Sequence, residues 1–350
     1  MGTLLAPLAL RPINRAVVGA RPPLGYLPSL EFRRPHQPFR QDVIADLRAG
    51  QPAWVFIGDS MLGTRIDPTH LGRISTSGDE LVSFLYHAAT GPAWWYLAFK
   101  NQLVMSGAKP RMTFIFFRDT NLTDTMFRLE GQYGHGLDAV ASPSEPELDR
   151  LVASHRKGAW YRAHRVLDNL YEASLATSWM EPSNRRWWVR WREPRSGPID
   201  AFERNADQMF SVDTLRNDVP ADLAQSDTSG RPDFNRDLPT SVLPLILDLS
   251  QQHGLALCFV RVQRRPVGGA PPEQSPALVR YTAELKAWLD GRGALFHDEL
   301  GDPELTLDLY ADGDHVADRR RYTEIFRKRL DPLFRPSANA QHVLSTVDGR

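Results

Sequence analysis

Cysteine and long apolar runs are both scarce in this 350-residue chain. The single cysteine, Cys258, excludes an intramolecular disulfide, and its setting in Leu255-Ala256-Leu257-Cys258-Phe259-Val260 predicts a buried small hydrophobe. No stretch approaches the roughly 18 apolar residues that span a bilayer. Pro7, Arg11 and Pro12 break the leading leucine-rich stretch, so no transmembrane segment is expected. An excess charge is missing too: Lys plus Arg and Asp plus Glu each number 42. No global field then attracts nucleic acid, and no nucleic-acid partner is expected. His135, His155 and His164 lack a second His or Cys at ligand spacing, so neither a metal nor another cofactor is expected. What remains is ordinary for a folded domain: 42% hydrophobic and 24% charged residues, enough for a sizeable core.

Seven prolines among residues 1–40, together with several arginines, predict an extended N-terminal arm. The folded domain is expected over 41–335 and a frayed tail over 336–350. After a short helix over 40–49, Trp54-Val55-Phe56-Ile57 reads as a fully buried strand ending at Gly58. A brief strand at Ile74-Ser75-Thr76 and an amphipathic helix reaching Phe84 are expected next, then a helix over 92–106 and a buried strand over 112–117. Residues 125–238 lose this rhythm and read as a large, mainly helical insertion. The alternation then resumes with helices over 241–252, 277–290 and 316–330 and strands over 256–262 and 294–297. Strands alternating with helices predict a three-layer α/β/α sandwich on a central parallel sheet, of flavodoxin-like form.

Chemistry concentrates at two places. Gly58-Asp59-Ser60 follows a buried strand directly, which puts the serine hydroxyl at the carboxyl edge of the sheet, where open α/β folds place ligands. A serine nucleophile needs a base, and the base needs a carboxylate to fix its tautomer. Asp312-Gly313-Asp314-His315, between the last strand and the last helix, supplies both types on one turn. The competing reading makes Asp59, Asp312 and Asp314 ordinary helix caps and His315 a solvated residue.

A buried strand into Gly-Asp-Ser near one end, with Asp-x-x-His near the other, resembles the SGNH/GDSL hydrolase superfamily. The resemblance covers about 50–125 and 240–330. It implies a triad of Ser60, Asp312 and His315, and an oxyanion hole made by Ser60 N–H, Gly78 of Ser77-Gly78-Asp79-Glu80-Leu81, and Asn121 of Asp119-Thr120-Asn121-Leu122. In that last block Asp119 and Leu122 replace the glycine and aspartate of the usual Gly-x-Asn-Asp. The Trp94-Trp95-Tyr96 helix, and the helix ending Gln251-Gln252-His253-Gly254, are similar to the exopolysaccharide O-acetyltransferase and esterase branch typified by alginate acetylation. Such proteins work beside membrane-bound O-acyltransferases, which names a partner and favours the periplasm or cell envelope over the cytoplasm.

The implied activity is ester hydrolysis or O-acyl transfer, with acetyl groups on a carbohydrate or small ester as substrate. Asp59, Arg118, Arg264 and Trp187 are candidate substrate contacts. The arginines suit an anionic sugar or an acyl-donor phosphate, and Trp187 with its neighbours suits sugar stacking. Surface arginines and tryptophans packing an insertion core explain the same residues. Two other functions stay open: a carbohydrate-binding or assembly protein with weak turnover, and a lipase or thioesterase.

Overall fold

The computed structural model describes residues 41–75, 80–129, 137, 140–142, 145–155, 232–267, 270–311 and 313–334. The expected arm, the tail and most of the expected insertion lie outside them. Five strands, β1 (Trp54–Gly58), β2 (Val82–Tyr86), β3 (Met112–Phe117), β4 (Leu257–Arg261) and β5 (Leu295–Asp298), form one sheet. Their order is β2-β1-β3-β4-β5 and every pairing is parallel. The apolar runs of β1, β3 and β4 are buried along their whole length, as strands covered on both faces require.

Among the described residues the helices longer than four residues are α1 (Gln41–Gly50), α2 (Ser60–Arg65), α3 (Pro68–Ile74), α4 (Pro92–Ala98, continuing as a π-helical segment, Phe99–Val104), α5 (Pro146–His155), α6 (Leu243–His253), α7 (Pro276–Asp290) and α8 (Arg319–Arg329). The two-residue period of the strands sorts the core into two layers. Val55, Ile57, Ile115, Phe117 and Phe259 pack with side chains of α1, α4, α6 and α7. Trp54, Phe56, Phe114, Phe116, Cys258 and Val260 pack with those of α2, α3 and α8. The result is the three-layer α/β/α sandwich expected from the sequence. Cys258 is fully buried, and burial pushes its thiol up to about 12, which keeps it protonated and inert.

Strand order places the chemistry. The chain leaves β1 towards β2 on one side and returns as β3 on the other, so the order reverses at β1 and β3. Such a switch point opens a crevice at the carboxyl ends of the two strands. Segments 59–60 and 118–121 emerge there.

Several expectations are corrected. Ile74 ends α3 and Ser75 caps it, so neither begins the strand expected there, and at Val82–Tyr86 edge strand β2 stands in place of the end of the expected helix. Pro68 at the first helical turn, with Asp67 accepting from His70 N–H, nucleates α3 early. The α8 helix starts at Arg319 instead of 316, because Val316 is held in an antiparallel bridge with Tyr310. The margins of the expected insertion also belong to the main core: Leu129, Leu137, Val140, Leu148, Val152 and Phe234 are buried in it. Glu145 anchors this region, accepting from Lys100 Nζ at 2.6 Å and Asn101 Nδ2 at 2.7 Å on the π-helical segment.

Candidate active site

Ser60 opens α2 two residues after Gly58, the last residue of β1. Asp59 caps the helix, its Oδ1 accepting from Met61 N–H at 2.9 Å. This abrupt turn needs glycine before it. A Cβ on Gly58 would stand 2.8 Å from Leu62 Cβ and 3.3 Å from Phe116 Cβ, so any side chain would push α2 off the sheet.

His315 arrives from the other end of the chain. Its Nε2 lies 3.0 Å from Ser60 Oγ across 255 residues of sequence. In the tautomer with its proton on Nδ1, Nε2 accepts from the serine hydroxyl, the geometry required of a general base. The loop that delivers His315 is tied down on each side. Its own carbonyl accepts from Ala311 N–H at 2.8 Å. Asp314 carbonyl accepts from Arg65 at 2.6 Å, and Val316 N–H donates to Thr64 Oγ1 at 3.4 Å.

Three arginine–aspartate pairs surround this contact. Arg128 donates to Asp59 at 2.9 Å, Arg118 to Asp314, and Arg264 to Asp119. Burial raises the Asp59 pKa above its ordinary value, against the opposing pull of Arg128, the Met61 N–H, Arg118 and His315. The exit loops are also conformationally forced: Ala89, Asp119 and Arg128 have φ of 58°, 46° and 54°. Non-glycine residues in the left-handed region are uncommon and gather where a site dictates the backbone.

Asp119 stands where the resembled pattern carries glycine, and it adopts the positive φ that glycine would provide. The following turn, Asn121–Thr123, is pinned by Thr123 Oγ1 at 2.6 Å from the Tyr281 hydroxyl on α7. Asn121 is buried at the carboxyl end of β3, beside β1.

The structure therefore brings Ser60 and His315 into contact and sets Asn121 on the adjacent strand exit. Asp312, Gly78 and Trp187 lie outside the described residues, as do His135 and His164. Glu80, two residues after Gly78, sits at the amino end of the sheet, where its carboxylate accepts from Trp54 Nε1 at 2.7 Å and pairs with Arg111. At the carboxyl end the neighbour of β1 is the loop 87–91, whose His87 N–H donates to Gly58 carbonyl at 3.5 Å. Asp59, Arg118 and Arg264, read from sequence as substrate contacts, are engaged with partners in the protein and order its loops. His155 is used structurally, with Nε2 at 2.9 Å from Thr240 carbonyl.

Sequence reasoning passed over Arg65, Thr64, Arg128 and the 87–91 loop. The alternation in Val82-Ser83-Phe84-Leu85-Tyr86, followed by Gly91-Pro92 as a helix start, carried the signal for that loop. Nothing local marks Arg65 or Arg128, since Asp314 and Gln263, the nearer partners of Arg65, and Asp59, the partner of Arg128, are distant in sequence. Among the described residues no group of three or more His, Cys, Asp or Glu is placed to hold a metal ion, and no helix is long and apolar enough to cross a membrane. Compared with family models and with curated proteins, the chain matches none.

Proposed function

We propose that this protein is a serine-dependent ester hydrolase or O-acyltransferase of the SGNH type, working through an acyl-Ser60 intermediate. The observation that carries this reading is the 3.0 Å contact between His315 Nε2 and Ser60 Oγ at the switch point of a parallel sheet. Chance surface proximity does not explain a contact between the capped start of a helix and a loop tied down on each side of His315.

In the proposed reaction Ser60 Oγ attacks the ester carbonyl carbon as His315 takes its proton. The tetrahedral intermediate collapses, the bond to the leaving alcohol breaks, and the alcohol takes the proton from His315. Water or a sugar hydroxyl then repeats the sequence on the acyl-serine, giving hydrolysis or transfer. Asp312 is assigned the role of holding the imidazole tautomer. Ser60 N–H and the Asn121 amide are assigned to the oxyanion, a role in which each donor is worth roughly a hundredfold or more in rate. The acetyl group, a carbohydrate acceptor and a membrane-bound O-acyltransferase partner follow from the resemblance and are part of the proposal.

The test is turnover of p-nitrophenyl acetate and of an acetylated oligosaccharide by wild type, Ser60→Ala and His315→Ala. Each substitution is expected to lower kcat by roughly a thousandfold or more. Undiminished turnover in Ser60→Ala would remove the nucleophile assignment. Weighing the products made with an added oligosaccharide separates transfer from hydrolysis.

A further inference from the structure

The α2 helix does more than present Ser60: its last turn holds the loop that carries His315. Arg65 is fully buried, and its guanidinium reaches three backbone carbonyls in different parts of the chain. One Nη1 contact goes to Asp314 carbonyl at 2.6 Å and a longer one to Met61 carbonyl at 3.4 Å; Nη2 donates to Gln263 carbonyl at 2.9 Å. The cation lies between the rings of Tyr310 and Tyr322, 5.9 Å and 5.5 Å from their centroids. Behind it, buried Glu299 accepts from the Tyr322 hydroxyl and from Gln263 N–H. Thr64, the preceding residue, takes Val316 N–H on the other side of His315.

Burying a guanidinium is costly, and an apolar side chain of similar size fills such a space at least as well when packing is the only requirement. What an apolar chain lacks is the fork of donors that fixes carbonyls in direction as well as distance. Here the fixed carbonyl belongs to the residue just before the base, and the fixing group sits five residues after the nucleophile on the same short helix. A rigid link of this kind is what a general base needs, because proton transfer falls off steeply when the acceptor drifts from hydrogen-bond reach.

We propose that Arg65 is a positioning residue that, with Thr64, locks His315 to the helix of Ser60 and so sets their contact. The inference rests on the serine-enzyme reading and concerns the same site. Arg65 touches no reacting atom; it acts through the Asp314 carbonyl and the loop that follows it.

The experiment measures the second-order rate of fluorophosphonate labelling at Ser60, together with kcat and KM for p-nitrophenyl acetate, in wild type, Arg65→Lys and Thr64→Val. Arg65→Lys keeps the charge and loses the fork. It is expected to label roughly ten- to a hundredfold more slowly and to lose kcat in proportion, with KM within about twofold. Thr64→Val is nearly isosteric, keeps Arg65, and is expected to slow labelling by a few fold in the same direction. Wild-type labelling rates in folded Arg65→Lys, or a loss confined to KM, would overturn the proposal. Should Arg65→Lys not fold, an unchanged rate in Thr64→Val overturns it alone. Failure of wild type to label at Ser60 is a different result, which sinks the serine-enzyme reading itself.

Discussion

Asp119 illustrates how a residue out of place in a sequence pattern can satisfy the geometry the pattern encodes. It holds φ of 46°, where a side chain costs roughly 1 kcal/mol or more, and Arg264 grips its carboxylate. Asp is among the few residues that enter this region readily, because its short polar side chain bonds locally. Two substitutions separate backbone from pairing. Asp119→Gly and Asp119→Ala both lose Arg264, yet only alanine is strained there. Denaturant unfolding is therefore expected to find the alanine variant less stable than the glycine variant by about 1 kcal/mol. Equal stabilities would mean that the left-handed backbone is not enforced. Ser60 and His315 were legible as residues because their chemistry is distinctive. Arg65 and Arg128 were not, since an arginine in a helix or loop is ordinary until its distant partner is seen.

At the scale of elements, the strands with continuous apolar runs were readable, and the edge strand was not. β1, β3 and β4 are buried on both faces and therefore stand out from any surface helix. β2 has only one neighbour in the sheet and a mixed Val-Ser-Phe-Leu-Tyr sequence, which an amphipathic helix also accommodates. The loop that borders the crevice beside β1 is the one after that strand, residues 87–91, with His87 N–H donating to Gly58 carbonyl. Helix α8 shows the opposite case, with its amphipathic register visible and its packing decisive. Phe326 lies 6.0, 5.5 and 5.6 Å from the rings of Phe56, Phe114 and Phe116, so one side chain seals the sheet face beneath α2 and α8. Phe326→Ala is expected to cost about 3–5 kcal/mol in urea unfolding, because the cluster cannot collapse around the void. A cost below about 1 kcal/mol would place α8 outside the cooperative core.

The molecule as a whole balances its charge locally as well as globally. Its 42 basic and 42 acidic side chains leave no formal net charge, and three arginine–aspartate pairs balance charge locally at the carboxyl edge of the sheet. Titration then acts on stability through individual buried groups. Burial holds His297 below its usual value of 6.5, beside the Phe326 ring at 6.3 Å. The unfolded chain thus takes up this proton before the folded one does. The stability due to neutral His297 is full above about 6.5 and is lost as pH falls from there through the folded value. Wild type is expected to lose unfolding free energy relative to His297→Leu between pH 7 and pH 5. Parallel profiles for the two proteins would contradict the burial effect. Fold class followed from the rhythm of the whole sequence, whereas the coupling of Ser60 to His315 depends on strand order, which no local pattern encodes.

Labelling with a fluorophosphonate probe, followed by intact mass and peptide mapping, asks whether Ser60 is a nucleophile. A nucleophilic serine held 3.0 Å from a histidine base should take up one adduct, on Ser60. The adduct should be absent in Ser60→Ala and form at least a hundredfold more slowly in His315→Ala. Unmodified wild-type protein, or an adduct mapped to another residue, would mean that Ser60 is not the nucleophile.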